Sequence, residues 1–122
     1  RLLARLVKDG RYGRLVGVDP EAAALERARD RLFLDSASDK LRERITLLQG
    51  SATLPDGRIA GADAGALVEV VEHLDADRLD ALEDAVFGIS RPGYVVVTTP
   101  NRDHNALFPS LPPGAMRHPD HR

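Results

Sequence analysis

Four short apolar runs, residues 14–18, 45–48, 64–68 and 94–97, recur along the chain, and the last of them is β-branched. Between them the apolar residues fall at helical spacing: Ala24, Leu25, Ala28 and Leu32 in one stretch, Leu79, Leu82, Val86 and Ile89 across 77–89. Continuous apolar strands separated by amphipathic helices predict an α/β fold, a mostly parallel, doubly wound sheet covered on both faces. A further stripe, Leu2, Leu3, Leu6 and Val7, stops at Asp9-Gly10 and has no capping residue before it, so the chain is expected to begin inside a helix. Residues 36–42 read as a polar loop, and 50–57 as a loop holding a Pro-Asp-Gly turn. In such folds ligands bind beyond the carboxyl ends of the strands, and Asp19, Ser51, Glu69 and Thr99 each fall just after one.

The 122 residues suffice for one compact domain, and the expectation is a single one over 1–122. The formal net charge of -2 gives no global basic footprint, so contact with nucleic acid has to come from a local patch. The absence of cysteine excludes a disulfide framework and a thiolate metal site. With neither a signal-peptide pattern nor an apolar run of about 20 residues, a cytoplasmic protein without membrane contact is expected. The polar, histidine-rich run 117–122 ends without a stop signal, so the natural sequence is expected to continue.

Asp19, closing the first strand, stands where nucleotide-binding α/β proteins place a carboxylate on the ribose hydroxyls of a nucleoside. It also suits the N-cap of the next helix, with Pro20 in the first turn, and the two roles can coexist. Glu69, Glu72 and His73 lie at i, i+3 and i+4, one face if the segment turns helically and half of a metal site. The other reading is a solvated turn leading into the next helix; the position at the sheet edge favours the metal. His104, His118 and His121 lie beyond Pro100 beside Arg102, Arg117 and Arg122. They read either as a basic tail or as the source of a second imidazole for the metal. Two carboxylates with two imidazoles suit Mn, Fe, Co or Zn better than Mg.

The run 66–75 (Ala-Leu-Val-Glu-Val-Val-Glu-His-Leu-Asp), Arg78-Leu79, Val86-Phe87-Gly88, the run 95–101 (Val-Val-Val-Thr-Thr-Pro-Asn) and 117–122 (Arg-His-Pro-Asp-His-Arg) resemble successive blocks of a known family. That family is the small-RNA 3′-terminal 2′-O-methyltransferases, Rossmann-like class I methyltransferases, and its bacterial members in RNA repair look most similar. Residues 47–51 match as well. The resemblance implies S-adenosylmethionine as cofactor, with Asp19 and Pro20 at its ribose and Ser51 and Ala52 at its adenine. It implies a divalent metal, Mn, Co or Mg, on Glu69, Glu72, His73 and His121, which with the metal form the catalytic set. Arg117 and Asn101 would approach the RNA 3′ end, and a polynucleotide kinase-phosphatase or ligase is the implied repair partner. Family members carry a strand and glycine-rich loop before the first helix that this sequence lacks, so the chain is expected to be a partial catalytic domain. Two other readings stay open: a methyltransferase of the same fold acting on a small molecule, and an inactive truncated domain that only binds RNA ends or a partner.

Overall fold

A computed structural model describes residues 1–101, which cluster into two compact units, 1–52 and the residues from Thr53 onward. In the first unit, α1 (Leu2–Asp9), β1 (Leu15–Asp19), α2 (Ala22–Arg31), α3 (Asp39–Arg44) and β2 (Ile45–Gln49) follow in order. β1 and β2 pair in parallel, Leu15 opposite Ile45 and Asp19 opposite Gln49. Leu32, Leu34 and Ile45 form a buried cluster against which Leu3, Ala4, Val7, Leu41 and Leu47 pack. α1 ends at Gly10, whose left-handed φ of 74° is the conformation a helix C-terminus favours and glycine supplies at little cost.

The second unit holds β3 (Ala64–Val68), α4 (Ala76–Glu83) and β4 (Tyr94–Thr98), with β3 and β4 again parallel, Ala64 opposite Tyr94 and Val68 opposite Thr98. Parallel strands require a crossover, and α4 provides it. α4 runs on into a π-helical stretch, Asp84–Ser90, and Leu74, Leu82, Ala85 and Ser90 are buried. The buried end of that stretch is tied down where the Gly61 N–H donates to the Ser90 carbonyl at 2.9 Å. Asp56 caps the short 3₁₀ turn Gly57–Ile59 and pairs with Arg58 at 2.6 Å, which holds its carboxyl below the ordinary carboxylate range.

The parallel α/β pattern and the four strands stand as expected from the sequence. Three boundaries differ. Residues 39–44 form α3 rather than a loop, because Leu41 packs on the core cluster and the other five residues are charged, so no periodicity shows in the sequence. The long helix expected over 77–89 loses α geometry at Asp84. α2 takes Glu21 as its cap, not Asp19. Of the expected site residues, Arg117 and His121, with His104 and His118, lie outside the described residues. No helix among the described residues is long and apolar enough to cross a membrane.

Candidate functional site

Asp19 is the last residue of β1, and its Oδ1 accepts from the Glu21 N–H at 2.9 Å. The side chain therefore steers the chain from strand to helix, two residues before the cap, as a local Asx-type turn. A carboxylate offers about four lone-pair positions, so one such bond leaves capacity for ribose hydroxyls. The Gly50 N–H donates to the Asp19 carbonyl at 3.1 Å, and Gln49 Nε2 donates to the Pro20 carbonyl at 3.1 Å. These two bonds bring Asp19, Pro20 and the Gly50-Ser51-Ala52 turn to one edge, the carboxyl end of the parallel pair. Sequence reasoning gave Gln49 no role, because its place opposite Asp19 depends on a cross-strand register that no local spacing encodes. A cavity of about 230 Å³ adjoins Asp19 between α1 and α2, with Leu3, Ala4, Ala28 and Leu32 in its lining. That is below the roughly 300 Å³ at which ligand pockets begin.

Glu69 follows β3 directly and has φ 54°. Phe33 and Arg91 share this left-handed backbone, but both sit at helix ends, where it is common. At the end of a strand, a non-glycine residue held there stores on the order of 1–3 kcal/mol of strain. Thr98 of β4 receives it: the Glu69 N–H reaches the Thr98 carbonyl at 3.1 Å and Thr98 Oγ1 at 3.2 Å, while Thr98 Oγ1 donates to Glu69 Oε1 at 2.9 Å.

The helical turn expected through Glu69, Glu72 and His73 starts later than the spacing suggests. Only Val71–His73 forms a 3₁₀ turn, and Glu69, with its positive φ, stands outside it. The three side chains therefore do not share one helical face, and no group of three His, Asp or Glu among the described residues is arranged to hold a metal. Glu72 is nevertheless singular. Both of its carboxylate oxygens are buried, and neither has a hydrogen-bond partner among the described residues. A carboxylate removed from water without a partner is costly, and a cation is one group that relieves it. His73 is exposed and already engaged in an interaction within the fold. Asn101, also engaged, lies exposed three residues past β4.

No family model matches the chain. A small RNA 2′-O-methyltransferase of Xenopus tropicalis is 35% identical over 114 residues, which is 88% of this chain and 30% of that protein. The mouse protein of the same name is 41% identical over 78 residues, 64% of this chain and 19% of its own length. Among solved structures, the methyltransferase domain of bacterial-CtHen1-CN superposes with a TM-score of 0.86 at 41% identity, covering all of this chain and 63% of that one. A small RNA methyltransferase, HEN1, gives 0.74 at 26% identity, over 99% of this chain and 16% of its own. The chain thus spans under a third of the curated relatives it matches and under two thirds of the bacterial domain. In sequence and in fold, the chain is similar to part of the methyltransferase domains of small RNA 2′-O-methyltransferases.

Proposed function

We propose that this chain is part of the catalytic domain of an S-adenosylmethionine-dependent enzyme that methylates the 2′-hydroxyl of the 3′-terminal ribose of RNA with the help of a divalent metal. The observation that supports the metal is the buried carboxylate of Glu72, whose two oxygens have no hydrogen-bond partner among the described residues, shortly after the carboxyl end of β3. The residues that would hold Mn, Co or Mg are Glu69, Glu72, His73 and His121. When bound there, the cation supplies positive charge that favours loss of a proton from a ribose hydroxyl. Asp19 and Pro20 would receive the ribose of the cofactor, and Ser51 and Ala52 its adenine; the bonds from Gln49 and Gly50 that hold this edge together support the assignment. Arg117 and Asn101 are assigned to the RNA end.

On this reading recognition rests on the terminal sugar and not on bases, which suits a chain of net charge -2. The enzyme acts in the cytoplasm on ends produced in RNA repair or needing protection as small RNAs, beside a polynucleotide kinase-phosphatase or ligase. The test compares methyl transfer by the full-length protein to oligonucleotides with a plain RNA end and with 2′-deoxy, 3′-deoxy or 3′-phosphate ends. The modified ends should be poor substrates. Equal methylation of DNA and RNA ends would overturn the reading.

A further inference from the structure

The strained backbone of Glu69 is not explained by a helix end or a glycine, and its neighbour across the sheet offers the reason. Thr98 is the register partner of Val68, the residue before Glu69, so its hydroxyl stands where β3 leaves the ladder. A hydroxyl has one donor and two acceptor positions. Here the donor goes to Glu69 Oε1 at 2.9 Å, and one acceptor receives the Glu69 N–H at 3.2 Å, the same N–H that also reaches the Thr98 carbonyl at 3.1 Å. One side chain thus binds both the backbone and the carboxylate of one residue. We propose that Thr98 is a positioning residue for Glu69, holding its left-handed backbone and fixing one carboxylate oxygen so that the carboxylate is presented in a single orientation.

The bond to Oε1 is charge-assisted, the stronger kind, and an O–H donor to a carboxylate also fixes the plane of the group. Without it, Glu69 is an exposed, rotamer-rich side chain on a strained backbone, and whatever it binds must first order it. Strain of this kind persists only where neighbours over-determine it, and two hydrogen bonds from one threonine do that. Valine at 98 would keep the shape and the carbonyl but lose the hydroxyl; serine would keep the hydroxyl.

The consequence for a cation rests on the metal reading above, so the experiment has two arms on the full-length protein. The first measures binding of Mn²⁺ alone, without cofactor or RNA. Thr98→Val should weaken it about tenfold, the lower range for loss of a group that orients a ligand, and Thr98→Ser should restore it. The second, without metal, is a thermal-unfolding cycle of Thr98→Val, Glu69→Ala and the pair, in which the two effects should be non-additive. Unchanged Mn²⁺ affinity in Thr98→Val, no rescue by serine, or additive effects in the cycle would each overturn the proposal. If the parent protein binds no Mn²⁺, the metal reading falls by itself, and the metal-free cycle alone decides whether Thr98 positions Glu69.

Discussion

As the proposed cation ligand, Glu72 would set function against stability within one side chain. Its two carboxylate oxygens are buried without partners among the described residues, and such a group destabilises the fold unless something cationic joins it. Glu72→Gln removes the charge and keeps the shape, so metal-free protein should become more stable by on the order of 1 kcal/mol, read as a rise in Tm. Saturating Mn²⁺ should stabilise the parent and leave the variant unmoved, reversing the order of the two melts. A metal-free variant that melts well below the parent would mean that Glu72 has an intramolecular partner and is no cation ligand. The spacing of Glu69, Glu72 and His73 singles out a polar cluster directly after an apolar run, but it places the three on one helical face, which the turn confined to Val71–His73 does not give. The positive φ of Glu69 was not legible in the residues, because a glycine is the usual mark of that conformation and none is there. Thr98 went unassigned for a different reason, since its role depends on a cross-strand register that no local spacing encodes.

Among the elements, those with a strong apolar period were read correctly and those held by a single contact were not. The strands and the helix around Leu25 fall where periodicity puts them, and the helix around Leu82 does so as far as Glu83. α3 has one apolar residue, Leu41, and the π-helical stretch from Asp84 buries Ala85 and Ser90, which no local spacing announces. The entry into β4 is a tight joint of this kind. The Gly93 N–H donates to the Ala62 carbonyl at 3.2 Å, and the next residue, Tyr94, donates to the Asp63 carbonyl at 3.1 Å. A Cβ added at Gly93 would lie 2.9 Å from that same Asp63 carbonyl oxygen, a backbone atom that cannot swing aside. Gly93→Ala should therefore destabilise the β3–β4 pair by about 1–3 kcal/mol, the usual range for an overpacked site. Amide exchange should show it as lost protection across 64–68 and 94–98. By contrast, Gly57→Ala meets nothing within 4 Å and should leave the same amides protected.

At the scale of the whole molecule, the assigned residues divide between the two compact units. Asp19, Pro20, Ser51 and Ala52 belong to the first, 1–52; Glu69, Glu72, His73 and Asn101 belong to the second. Each group lies at the carboxyl end of its own parallel pair, which is where this class of fold places ligands. Each pair is secured by its own bonds, Gly50 to Asp19 in one and Glu69 to Thr98 in the other. The two binding functions should therefore separate under mutation. Asp19→Ala removes the proposed ribose acceptor, and S-adenosylmethionine affinity should fall at least about tenfold, equivalent to roughly 1.4 kcal/mol, while Mn²⁺ affinity is kept. Glu72→Gln should do the opposite, abolishing Mn²⁺ binding while the cofactor still binds in the presence of chelator. On the proposed reading, in which cofactor and cation act together, both should lose methyl transfer. Calorimetry with each ligand alone, on both variants and the parent, separates the outcomes. If either substitution removes both ligands while circular dichroism stays native, cofactor and cation share one set of residues, and the assignment to separate units is wrong.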